Sequence, residues 1–188
     1  LPHSRSLRDV DQTNIKYAVN PVMGGPVQSE EGILGGIWGG EIDNFDESKK
    51  YLQSFCKDVF NFGSVEKASQ AKLLSNFLSL LTTTTVIEFF RSAKDLNIDI
   101  NLLCEVAKLG SGNSGALSRI ADKAIQGDFK GYVFSVNNTL KDLTYINDLL
   151  KDSNNAEKMS DIAINFYKSA KENGYGELLV SELIEKKY

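Results

Sequence analysis

The chain is 188 residues long, enough for one sizeable core or two small ones, and its 41% hydrophobic and 24% charged residues are those of an ordinary globular protein. A formal net charge of -4 gives no electrostatic reason to bind nucleic acid or an anionic membrane surface. The single histidine, His3, lies in the polar opening stretch, so a Ser-His-Asp triad, a Cys-His pair and a His-rich zinc site are not expected, and proton transfer falls to Lys, Asp, Glu, Tyr or water. Cys56 and Cys104 fit no metal-ligand spacing and form no disulfide framework, which points to a reducing, cytoplasmic setting with no metal.

Short β-like runs come first: "IKYAVNPV" (Ile15–Val22), "ILGGIWGG" (Ile33–Gly40) and "DVFNF" (Asp58–Phe62). Between the second and third, Asp43 is placed to cap a helix whose stripe is Phe45, Tyr51, Leu52 and Phe55. The first third therefore reads strand, loop, strand, helix, strand, a piece of an α/β sheet. After residue 62 the pattern is helical almost throughout, beginning with a helix over about Glu66 to Leu96. "DINLLCEVAKL", "SGALSRIADKAIQ", "VNNTLKDLTYINDLLKD", "NNAEKMSDIAINFYKSAKEN" and "GELLVSELIEKK" follow as further helices, with Gly110, Gly127 and Gly174 at expected helix ends.

The long helix is apolar over most of its circumference, as a central core helix would be. Its apolar window, Leu73–Phe90, is long enough to raise a membrane question, but Asn76, two serines, four threonines and Glu88 make it too polar for an ordinary span. One polar seam survives: Lys72, Asn76, Ser79 and Thr83 follow i, i+4, i+7, i+11 and share a face. Two readings stand at this point. The seam is a solvent-exposed stripe, or it is the polar wall of a cleft. In a cleft, desolvation would bring the lysine toward the range where it trades protons near neutral pH, and Asn76 would orient a hydroxyl or carboxylate. "GSGNSG" (Gly110–Gly115) spells G-x-G-x-x-G, but a helical run precedes it where the dinucleotide motif needs a strand, so it is expected to be a helix-to-helix turn.

The order of these features resembles the β-hydroxyacid dehydrogenases, the 3-hydroxyisobutyrate dehydrogenase and tartronate-semialdehyde reductase group. That family has a strand ending in P-V-S-G-G, then G-x-L and G-G. Here the residues are Pro21-Val22-Met23-Gly24-Gly25, Gly32-Ile33-Leu34 and Gly39-Gly40. Its G-x-x-G-x-G-x-x-x-K-x-x-x-N, opening a long interdomain helix, is matched from Gly63 to Lys72 and Asn76. A K-D pair with an aromatic seven residues before the lysine is matched by Phe134, Lys141 and Asp142. The closing "YKSAKENGYGELLVSEL" is similar to the family's final helix pair, and "LPHSRSL" to the helix before the P-V-S-G-G strand.

The resemblance implies an α/β remnant of a Rossmann domain (residues 1–64, its last strands and helix). An all-α substrate-binding and dimerisation domain (residues 65–188) would follow, built on one long interdomain helix. It implies NAD or NADP as cofactor and hydride transfer between a short 3-hydroxy acid and its semialdehyde. Lys72 would be the general acid/base. Met23, Gly24, Gly25, Asn76, Phe134 and Asp142 would meet the substrate, and Lys141 the cofactor. The expected partners are that small substrate and further copies of the chain in a dimer or tetramer, with no nucleic acid and no membrane. Three residues depart from the pattern. Met23 stands where the family has serine, and Glu66 and Ala68 replace two glycines ahead of the lysine. The family's first half, with its G-x-G-x-x-G turn, would lie before Leu1, so the chain is expected to be a fragment with little or no turnover alone. Two other readings remain: a non-catalytic relative that keeps the fold for binding or oligomerisation, and a helical scaffold whose seam is merely exposed.

Overall fold

The structure, a computed structural model, describes residues 17–41 and 44–188. Among them the chain is mostly helical with one small sheet, and it divides into two compact units between Ser75 and Asn76.

In the first unit, β1 (Ala18–Val19), β2 (Val22–Met23) and the short helix α1 (Pro26–Glu30) lead into β3 (Leu34–Gly40). Both β1 and β2 run antiparallel to β3, in the registers Ala18 to Gly40 and Val22 to Gly36. The single strand expected over Ile15–Val22 is thus broken at Asn20-Pro21, where proline has no N–H for the ladder; its carbonyl still accepts from Ile37 N at 2.9 Å. Residues 15 and 16 lie outside the described residues.

From β3 the chain passes through α2 (Phe45–Leu52) to β4 (Cys56–Asn61), which pairs with β3 in parallel, the arrangement a helical crossover permits. The N-cap expected at Asp43 lies outside the described residues. Leu34, Trp38, Cys56 and Val59 form the core here, with Val22, Phe45 and Leu52 packed on it and the Trp38 ring edge-on to Phe45 at 5.1 Å. Strand β3 is glycine-rich because its neighbours come close. A Cβ on Gly39 would strike the Ser64 carbonyl oxygen and the Ala68 methyl, at the start of the next helix.

That helix, α3 (Val65–Asp95), matches the expected long helix to within a residue at each end and continues into the second unit. There follow α4 (Ile100–Leu109), α5 (Gly115–Ala124), α6 (Val136–Leu150) and α7 (Asn154–Ala170). Side-chain caps start three of them. Asp99 accepts from Asn101 N at 2.8 Å, Ser114 from Leu117 N at 3.1 Å and Ser135 from Asn138 N at 3.2 Å. Gly110–Gly115 is the expected helix-to-helix turn, between α4 and α5.

The four threonines Thr82–Thr85 stay inside α3 by bonding their hydroxyls to the carbonyls of Leu78, Ser79, Leu80 and Leu81, at 2.8 to 3.0 Å. Thr84 Oγ also meets the fully buried Tyr167 hydroxyl at 3.0 Å. The threonine's one proton goes to the Leu80 carbonyl, so Tyr167 supplies the proton of this second bond. Burial raises the Tyr167 pKa well above the ordinary phenol range. Ile87, Phe90, Ile120, Leu143, Ile146, Val180 and Leu183 complete the buried core of this unit.

The last expected helix shrinks to a short 3₁₀ helix, Val180–Glu185. Its first residues are used otherwise. Gly176 O and Leu178 O accept from Asn137 N and Val136 N, and Val180 N donates to Phe134 O, each at 2.9 Å, so this stretch is pinned across the start of α6. Backbone groups engaged there cannot also form a helical ladder.

Candidate active site

Two clusters of polar side chains hang on α3. In the first unit, Lys72 Nζ donates to the Val22 carbonyl at 2.8 Å and meets the Met23 sulfur at 3.4 Å. Both partners belong to β2, so the strand end fixes where the ammonium sits, across a sequence separation of about fifty residues. Just beyond, Gly24 has φ +125°, and a Cβ on it would lie 2.7 Å from Leu34 Cδ2. Only glycine serves at that corner. Gly25 N–H donates to the Gln28 side-chain oxygen at 2.8 Å.

In the second unit, Asn76 Nδ2 donates to Asp142 Oδ2 at 3.0 Å, while the other carboxylate oxygen pairs with Lys141 Nζ at 3.3 Å. Asp142 is largely buried at 16% side-chain exposure, whereas Lys141 is 56% exposed. The carboxylate therefore holds the asparagine amide in one orientation and leaves a cation facing outward. Phe134 is placed by its carbonyl, which accepts from Val180 N as described above.

The seam expected on α3 is not an exposed stripe. Lys72, Asn76 and Ser79 are half-buried and Thr83 is fully buried, while Leu74 and Leu78 are the exposed positions, at 47% and 71%. Each polar member has a stated partner: Val22 O for Lys72, Asp142 for Asn76, and the Asn76 and Ser79 carbonyls for Ser79 and Thr83. A helix with leucines outward and bonded polar groups inward spends its polar face on the protein itself.

Two contacts were not anticipated from sequence. The Val22 carbonyl carries no side-chain signal. Gln28 does: its place three residues after Gly25, with Pro26 opening the helix, is the capping-box spacing.

Residues 67–186 match the family model described as NAD-binding of NADP-dependent 3-hydroxyisobutyrate dehydrogenase. The chain belongs to this family. Its fold agrees with that of 3-hydroxyisobutyrate dehydrogenase from Salmonella typhimurium, with a TM-score of 0.84 at 21% identity over 96% of this chain and 64% of that one. It agrees also with a protein solved in complex with NADP+ and 2-OPP, with a TM-score of 0.78 at 20% identity over 97% of this chain and 64% of that one. Among curated proteins, an uncharacterized oxidoreductase of Synechocystis sp. is 27% identical over 134 residues, 71% of this chain and 46% of the relative. The chain thus spans about half the length of that curated relative and just under two thirds of the two solved chains. The cofactor of this dehydrogenase family is NAD(P).

Proposed function

We propose that this chain is the C-terminal portion of an NAD(P)-dependent dehydrogenase that interconverts a short 3-hydroxy acid or a related alcohol with its carbonyl form, in the cytoplasm. The observation that carries the reading is the ammonium of Lys72, held by β2 beside the Gly24-Gly25 corner in a chain of this family. Residues 1–64 supply the end of the Rossmann-type domain, and residues 65–188 the substrate-binding and dimerisation domain.

When bound, the nicotinamide supplies or accepts the hydride. The chain's own residues do the rest. Lys72 Nζ–H gives its proton to the carbonyl oxygen as the alcohol forms and takes it back in the reverse direction. The Val22 carbonyl, fixed in the sheet, keeps that proton donor aimed. Asn76, in the second unit, matches the family's asparagine, and its amide is assigned to orienting the substrate's polar group. Asp142 prevents that amide from turning. The exposed Lys141 ammonium suits a cofactor bearing phosphates, since a compact, mobile cation can meet them from solvent. Leu102, Val106 and Leu109, 63%, 66% and 90% exposed along one face of α4, support a homo-oligomer.

The test is nicotinamide absorbance with short hydroxy acids and their semialdehydes, using the polypeptide as its gene encodes it. Lys72→Ala is expected to lower turnover by about 10²–10⁴-fold, the usual contribution of a positioned acid/base. Unchanged turnover in Lys72→Ala would sink the assignment. Met23 in place of serine favours the second reading, a non-catalytic relative, and a folded protein that binds cofactor but turns over none of the panel would support it.

A further inference from the structure

We infer that Met23 and Gln28 make this site select a substrate whose second polar group, two carbons along from the reacting carbon, is neutral rather than a carboxylate. The inference rests on the dehydrogenase reading above. A carboxylate is acceptor-only and is recognised by converging donors. Around the Lys72 ammonium the partners that β2 contributes are acceptors: the Val22 carbonyl at 2.8 Å and the Met23 sulfur at 3.4 Å. A thioether has no proton to give. Of the two glycine N–H donors at the corner, that of Gly25 is committed to Gln28 Oε1 at 2.8 Å.

A carboxylate brought to this corner therefore meets two sets of lone pairs, and to gain the Gly25 N–H it must break a formed hydrogen bond. The Lys72 charge attracts it, but that ammonium is the group needed at the reacting oxygen. A carboxamide or hydroxyl changes the balance. Its own N–H or O–H can be donated to the Val22 carbonyl or the sulfur, and the methionine's methyl and methylenes pack against its apolar part. The Gly25–Gln28 bond then stays intact.

The experiment uses the polypeptide as its gene encodes it, with its nicotinamide cofactor. It compares 3-hydroxypropanamide with 3-hydroxypropanoate, which differ only in carboxamide against carboxylate. Equilibrium binding is measured by calorimetry and turnover by absorbance. The amide is expected to bind about tenfold tighter or better, the discrimination that one net hydrogen bond supplies. Met23→Ser, which introduces a donor, and Gln28→Ala, which releases the Gly25 N–H, are each expected to move the ratio toward the acid about fivefold or more, through KM rather than kcat. The second variant keeps the test decisive if the first folds poorly.

Tighter binding of the acid by the wild type, or binding of neither probe, overturns the proposal. So does a ratio that moves less than about twofold in both variants. Amide-selective binding without turnover of either probe refutes the dehydrogenase reading and leaves the selectivity standing. Turnover that prefers the acid does the reverse.

Discussion

Replacing Gly39 by alanine would drive a methyl group into the start of the helix that carries Lys72. A Cβ at that position stands 2.5 Å from the Ala68 Cβ and closer still to the Ser64 carbonyl oxygen. Carbon atoms in contact ordinarily keep about 3.5–4.0 Å, so strand and helix must part by roughly 1 Å. Neither obstacle can turn aside, since one is backbone and the other a methyl fixed to it. Overpacking of this kind costs about 1–3 kcal/mol, and the upper half of that range is expected here. Trp38, the chain's one tryptophan, lies one residue away and is 1% exposed, so its fluorescence reports on this unit. With a urea slope of about 1–3 kcal/mol per molar, Gly39→Ala should lower the unfolding midpoint by roughly 1 M. Gly112→Ala, where a Cβ meets nothing within 4 Å, should leave the Trp38 transition in place. A Gly39→Ala protein within about 0.5 kcal/mol of wild type, the ordinary scatter of surface substitutions, would refute the claim that glycine is needed for this approach.

Two further outcomes are expected. Asp142→Ala should cost about 1.5–3 kcal/mol by far-UV circular dichroism in urea, because a largely buried, charged acceptor of the Asn76 amide is lost. Lys141→Ala should cost under about 1 kcal/mol, since its side of the ion pair faces water. Equal effects would mean that the ion pair rather than the hydrogen bond matters. Tyr188 gives a pH dependence. Burial, together with Glu88, pushes its hydroxyl up to about 12, against the partial opposition of Arg91, whose guanidinium lies 4.6 Å from the ring centroid. A folded-state pKa above the ordinary phenol value of about 10 means that the unfolded chain loses its proton first. Stability from this group is therefore intact below pH 10 and lost as pH rises toward 12. Thermal melts of Tyr188→Phe should lack that share of the decline, and identical wild-type and variant profiles between pH 10 and 12 would count against it.

Much of this was legible in the sequence, and the exceptions have physical causes. Periodicity located α3 because a run of thirty-one residues averages out local ambiguity. The Gly110–Gly115 turn was readable because a helix before it excludes a dinucleotide loop. The closing helix was misread because propensity is local, whereas Gly176–Val180 is claimed by residues some forty positions earlier. The i, i+4 spacing placed Lys72 and Asn76 on one face, but periodicity alone cannot tell a wet face from a bonded one. Burial of Thr83 and exposure of Leu78 decide that, and both depend on neighbours distant in sequence. The Asn76–Asp142 bond was visible only as two separate motifs. The Lys72–Val22 bond was invisible because one partner is main chain.

The clasp between Phe134–Asn137 and Gly176–Val180 has a bearing on how the chain is made. Among the described residues, strands β1 to β4 and their crossover helix all precede α3, so their pairing with one another needs nothing translated later. The second unit cannot do the same. The start of α6 waits for hydrogen-bond partners translated some forty residues later, and until they emerge those backbone groups lack their native partners. A chain whose translation stops before Gly176 would thus carry an unfinished helical half, the kind of intermediate that chaperones hold and proteases find.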